Sequence, residues 1–132
     1  MWRLEPPGLI ISVVGATTAL SLPETLAREL DLEVRITQSN HEGELVDAIH
    51  AARNRCSAIL INPGAFTHYA WSIHDALSAF AGPILEVHIS NPGAREEFRH
   101  TSVIAPVVHG TIAGFGGLGY TLAADAVVSL LG

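Results

Sequence analysis

The chain has 132 residues, almost half of them apolar, with no lysine and a formal net charge of -6. That length supports one core and one domain over 1–132. No apolar run reaches the ~20 residues of a membrane-crossing helix, and the acidic balance disfavours a nucleic-acid partner. The lone Cys56 leaves no internal disulfide. Without a CxxC or Cys/His grid there is no sign of a metal site, so a reducing, cytoplasmic setting is expected.

In chain order, Glu5 and the Pro6–Pro7 pair interrupt the apolar start, so no secretory pattern is expected there. Leu9–Val14 is a β-branched apolar run of the kind that forms a strand buried on both faces. Ser21-Leu22-Pro23-Glu24 has the form of a capping box with proline in the first turn, and predicts a helix to Leu30. Glu33–Thr37 reads as a second strand, and Glu42–Arg53 as a helix with Leu45, Ile49 and Ala52 on one face. Ala58–Ile61 is a third strand, Tyr69–Phe80 a helix and Ile84–Ile89 a fourth strand. Val103–Val108 is the expected fifth strand, and the turn Gly114-Phe115-Gly116-Gly117 opens a last helix near Tyr120–Leu131. Strands that alternate with helices predict a parallel five-stranded sheet covered on both faces, a flavodoxin-like α/β three-layer sandwich.

Three polar motifs fall in one register. Thr37-Gln38-Ser39-Asn40 follows the second strand, Asn62-Pro63-Gly64-Ala65 the third, and Glu86–Asn91 straddles the end of the fourth. Open α/β sheets bind ligands at this carboxyl-terminal rim. The segment ILEVHISNPGAREEFR (Ile84–Arg99) is the richest: it places carboxylate, imidazole, hydroxyl, amide and guanidinium within a strand end and its loop.

That segment, extended to Pro106, resembles the type II dehydroquinases, as do QSNHEGELVDAIHAAR (Gln38–Arg53) and INPGAFTHYAWSIHDAL (Ile61–Leu77). GFGGLGY (Gly114–Tyr120) carries the likeness toward the last helix. The resemblance implies a lyase that removes water from 3-dehydroquinate with trans stereochemistry, uses no metal or cofactor, and assembles as a homo-oligomer, usually a dodecamer built from trimers. By position it implies His88 as the general acid for the departing hydroxyl, oriented by Glu86; side chains two apart on a strand share a face, which suits that pairing. It implies Asn62 as a substrate hydrogen-bonding group that also fixes His88. Ile89 and Ser90 would hold the substrate carboxylate, His68 and Arg99 ring hydroxyls, and Asp75 a neighbouring subunit's site. Arg95 matches a further family arginine near the loop.

The first strand departs from the family pattern. Members follow it with N-G-P-N-L and a lid carrying an arginine and a tyrosine; the tyrosine takes the proton beside the carbonyl. Here Gly15-Ala16-Thr17-Thr18 runs almost directly to Ser21, while Arg3-Leu4-Glu5-Pro6 resembles a lid fragment in the wrong place. Tyr69 and Tyr120 are the only tyrosines, and both align with non-catalytic family positions. A free phenol titrates near ~10, so it needs a cationic neighbour to act as a base near neutrality.

Plainer roles stand beside these. Asn62-Pro63-Gly64 is also a good turn; His68 and Arg99 suit structural hydrogen bonds as well as ligand contacts. Asp75 suits an intersubunit ion pair, and His41 and His50 a helix surface. Three functions follow, in order: a divergent lyase, isomerase or cyclase on a small oxygenated, enolisable substrate, with His88–Glu86 as its acid–base pair; a 3-dehydroquinate dehydratase whose base is supplied otherwise; and a non-catalytic binding or scaffold homologue.

Overall fold

The computed structural model describes residues 9–16, 28 and 30–132. Its sheet has five parallel strands, β1 (Leu9–Gly15), β2 (Leu32–Gln38), β3 (Ala58–Asn62), β4 (Ile84–His88) and β5 (Gly110–Ala113). Their order is β2-β1-β3-β4-β5, the flavodoxin-like order. Among the described residues, three helices cover it: α1 (Glu42–Ala52), α2 (Trp71–Ser78) and α3 (Leu118–Leu131). The helix expected from Ser21 to Leu30 lies, apart from Arg28 and Leu30, outside the described residues.

Alternation along the strands sorts the core into two halves. Ile59 and Ile61 of β3 turn to one face, where Leu45 and Ile49 of α1 and Ile73 and Leu77 of α2 pack on them. Ala58 and Leu60 turn to the other face and meet Tyr120, Ala123, Ala124 and Val127 of α3. Every residue of β3 and β4 is buried, as strands in the middle of a covered parallel sheet must be. The predicted face Leu45, Ile49 and Ala52 is the buried face of α1.

The fifth strand is displaced from its expected place. Val103–Val108 forms turns, with a short 3₁₀ segment at Ala105–Val107. Pro106 has no N–H to give a ladder, and Val103, Ile104, Val107 and Val108 bury their branched side chains from the loop instead. The strand that pairs with β4 is Gly110–Ala113, in register from Leu85↔Gly110 to His88↔Ala113. The helix expected at Tyr69–Phe80 is likewise shorter, because Gly64–His68 closes a 3₁₀ turn before Trp71.

Candidate active site

Asn62 is the last residue of β3, and Glu86 and His88 occupy the last turn-out of β4. The neighbouring strands run parallel with Ile61 opposite Glu86, so their polar ends emerge together at one rim. Asn62 belongs to the α3 side of the sheet: its Nδ2 donates to the Tyr120 hydroxyl at 2.9 Å. Its Oδ1 accepts from the Gly64 N–H at 3.2 Å, across a turn that needs Gly64 at φ 57. The Asn62 amide is thus held from below by α3 and from the side by its own loop.

Glu86 and His88 lie on the opposite sheet face and are nearly sealed, at 1% and 9% exposure. His88 Nε2 stands 2.6 Å from Glu86 Oε2. The same oxygen accepts from the Thr67 hydroxyl at 2.5 Å, and Thr67 Oγ1 lies 2.6 Å from Ser102 Oγ. The other carboxylate oxygen, Oε1, is buried with no donor in reach among the described residues. Neighbouring His68 is oriented separately: its Nδ1 lies 2.7 Å from the Thr101 carbonyl oxygen and so carries the proton.

After β4 the chain crosses the rim as a loop. Asn91 Oδ1 accepts from Gly93 N–H at 3.1 Å and caps the Pro92–Ala94 turn. Arg95 Nη1 donates to Ser90 Oγ at 3.3 Å. Arg99 donates to Glu96 at 2.8 Å and rests its guanidinium 4.7 Å above the Phe98 ring. The Arg99 bond holds the exposed Glu96 carboxyl below its ordinary range. The Gly114–Gly117 turn donates back to this loop, from Gly114 N–H to His88 O and from Gly116 N–H to Ile89 O. Those glycines therefore brace the rim.

The hollow so formed has a volume of about 290 Å³. Asn62, His68, His88, Ile89, Ser90 and Arg99, all singled out in the sequence, line it together with Arg95. Two guanidinium groups and the His68 imidazole beside the His88–Glu86 pair suit a small, oxygen-rich, anionic ligand that undergoes proton transfer. Asp75 is not in this wall. It sits on α2, 80% exposed in its side chain, and pairs with His74 Nδ1 at 3.0 Å. Tyr69, also exposed, borders a second hollow of about 240 Å³ that shares Gly64 and Ala65 with the first. Among the described residues no cluster of three His, Cys, Asp or Glu side chains could hold a metal ion. Thr67, Ser102 and Tyr120 escape a sequence reading: they matter through contacts with residues 19 to 58 positions away.

The family profile described as Dehydroquinase class II matches residues 13–128. The chain is 57% identical over 101 residues to the 3-dehydroquinate dehydratase of Dictyoglomus turgidum, covering 76% of this chain and 70% of that one. It is 50% identical over 114 residues to the 3-dehydroquinate dehydratase of Bacillus licheniformis, covering 84% and 79%. The crystal structure of type II dehydroquinase from Propionibacterium acnes superposes with a TM-score of 0.81 at 38% identity, covering 92% of this chain and 99% of that one.

Proposed function

This chain belongs to the class II dehydroquinase family as a hydro-lyase, and on that premise we propose that it removes water from 3-dehydroquinate to leave 3-dehydroshikimate. The sequence alone ranks an altered reaction first. The identities weigh the other way: the relatives named 3-dehydroquinate dehydratase are 46–57% identical over 70–86% of their own lengths.

One observation carries the reading: the buried His88–Glu86 pair at 2.6 Å beneath a hollow walled by Arg95 and Arg99. The reaction has two halves, removal of the proton beside the carbonyl and protonation of the departing hydroxyl. His88 supplies the second. Its Nε2 is engaged by Glu86, which leaves Nδ1 as the nitrogen that hands a proton to the hydroxyl. Glu86 holds the ring and stabilises the cation formed when Nδ1 is reprotonated.

Asn62 donates to the substrate from its fixed amide, Ile89 and Ser90 take the carboxylate, and His68 and Arg99 take ring hydroxyls. Arg95, bonded to Ser90, adds positive charge beside the carboxylate. Asp75, turned outward on α2, serves the hollow of a neighbouring copy in a trimer-based homo-oligomer. A related lyase acting on another small enolisable substrate is the second reading. It draws on residues 15–20, which lack the lid arginine and tyrosine called for by the family resemblance.

The test is direct. Purified protein mixed with 3-dehydroquinate is expected to generate the conjugated enone of 3-dehydroshikimate, followed by ultraviolet absorbance and product chromatography. The His88→Ala variant should not. Turnover no faster than buffer would sink the dehydratase reading in favour of the second. Equal turnover in the His88→Ala variant would remove the role given to the histidine.

A further inference from the structure

The contacts around Thr67 have a direction that follows from counting hydrogens. Ser102 Oγ accepts two backbone N–H groups, from Ile104 at 3.1 Å and Ala105 at 2.9 Å. A hydroxyl has two lone pairs and one hydrogen. With both lone pairs occupied, Ser102 must donate its hydrogen to Thr67 Oγ1, 2.6 Å away. Thr67 then has its own hydrogen left, and the acceptor in line is Glu86 Oε2 at 2.5 Å. Glu86 Oε2 is thereby an acceptor on that side, so the 2.6 Å contact to His88 is filled by a hydrogen on Nε2. Donation runs from the backbone of Ile104 and Ala105 through Ser102 and Thr67 to Glu86 Oε2, and His88 donates to the same oxygen from the other side.

The same short strap, Thr101–Val103, governs the second histidine. The Thr101 carbonyl accepts from His68 Nδ1 at 2.7 Å, and Val103 N–H donates to the Thr67 carbonyl at 2.8 Å. The strap thus ties the 3₁₀ turn Gly64–His68 to itself at three points. It sets opposite proton positions on the two rings, Nε2 on His88 and Nδ1 on His68.

We propose that Thr67 and Ser102 are positioning residues: their hydrogen bonds keep Glu86 Oε2 an acceptor, which holds the neutral His88 hydrogen on Nε2 and leaves Nδ1 as the nitrogen that exchanges a proton with the substrate. With Nε2–H held by Glu86, Nδ1 takes up a proton to form the imidazolium that acts as the acid, and handing it to the departing hydroxyl returns the neutral Nε2–H ring. Without the Thr67 hydrogen, Glu86 keeps one contact, can turn about its last torsion, and no longer dictates which nitrogen carries the proton. The kinetic consequence rests on the dehydratase reading above; the direction of the hydrogen bonds does not.

The experiment has two arms. In ¹⁵N-histidine-labelled protein, in buffer alkaline enough to keep every imidazole neutral, nitrogen shifts report the tautomer of each ring, and His88 is assigned by its loss in a His88→Ala variant. Wild type should show His88 protonated at Nε2 and His68 at Nδ1, while Thr67→Val should show His88 averaged between its two tautomers. With 3-dehydroquinate as substrate, Thr67→Val should lose about ten- to a hundredfold in kcat, the range of one charged hydrogen bond, with KM little changed. Thr67→Ser, which restores the hydroxyl, should recover most of it. Should Thr67→Val fail to fold, Ser102→Ala at its half-buried site carries the same expectations. A wild-type His88 protonated at Nδ1 would overturn the proposal, as would a Thr67→Val variant with the parental tautomer and kcat. A Thr67→Ser variant as slow as Thr67→Val would assign the effect to packing. If the wild type turns over no 3-dehydroquinate at all, the dehydratase reading falls, and the shifts still decide the hydrogen-bond directions.

Discussion

The two ends of this sheet are built from the same strands and carry hollows of similar size, yet only one is organised for chemistry. At the carboxyl-terminal rim, a hollow of about 290 Å³ stands over buried polar groups, the Glu86–His88 pair and Asn62 on its Tyr120 bond. At the amino-terminal rim, a larger hollow of about 350 Å³ is walled by Arg53, Asn54, Cys56, Ser57, Phe80 and Gly82. There the described bonds between Ser57 and β1 are structural: Ile10 N–H to Ser57 Oγ at 3.3 Å and Ser57 N–H to the Ile10 carbonyl at 2.7 Å. Volume does not distinguish the two. Buried polar groups do, because each must be bonded to remain in the interior, and a bonded, desolvated acid–imidazole pair is oriented for proton transfer.

Breaking the two rims should therefore have different signatures. The largest effect is expected from His88→Ala: a fall in kcat of about 10²–10⁴, the usual contribution of a general acid, beside a lower melting temperature as the buried Glu86 loses a donor. Steady-state kinetics beside a thermal melt measure both. A kcat within a few-fold of wild type would erase the contrast. Next comes Arg99→Ala, which removes a guanidinium from the wall along with its hold on Glu96. It should raise KM by about tenfold or more, about 1.4 kcal/mol of substrate binding for each factor of ten. Arg99→Lys should recover only part, since a lysine lacks the planar fork.

The sheet was legible in the sequence because its central strands are short apolar runs, Ala-Ile-Leu-Ile unbroken and Ile-Leu-Glu-Val interrupted only by Glu86, as burial on two faces requires. The fifth strand was not, because β-branched residues mark burial as well as pairing. Val103–Val108 is buried but cannot pair past Pro106, whereas Gly110–Ala113 pairs with little apolar signal of its own. At the site, Asn62 and His88 were legible as polar groups at strand ends, and Arg99 through the family resemblance. Thr67 and Ser102 were not: hydroxyls are common, and their meaning arises only when the turn and the strap meet, 35 residues apart. Asp75 was legible as a charged helix residue, and it faces away from the hollow of its own chain.

The amino-terminal rim should break in stability alone. A methyl at Gly82 would run into the Ser57 carbonyl oxygen and approach the Phe80 ring to 2.9 Å. Backbone does not move aside cheaply, so Gly82→Ala should cost about 1–3 kcal/mol of unfolding free energy, the usual range for overpacking. The kcat per folded molecule should stay at the wild-type value. Denaturant titration gives the first quantity and kinetics at low temperature the second. A stable Gly82→Ala variant with lowered kcat would mean that the two rims are coupled.

The smallest effect belongs to Cys56, the buried thiol of that same rim. Burial raises its pKa above the ordinary 9.0, ahead of the opposing pull of Arg35. The folded chain then keeps a proton that the unfolded chain gives up as pH rises through 9.0, so the unfolded state binds fewer protons there and stability falls with pH. Below 9.0 the contribution is complete; above it, the contribution declines until the folded thiol itself ionises. Melting temperatures followed across this alkaline range should fall more steeply in wild type than in Cys56→Ala, where that proton is absent from both states. The comparison is between slopes, so the small core defect left by alanine does not enter it. Parallel slopes would mean that the thiol ionises as freely in the fold as in the open chain. Water would then reach the thiol, and burial would carry no electrostatic consequence at this rim.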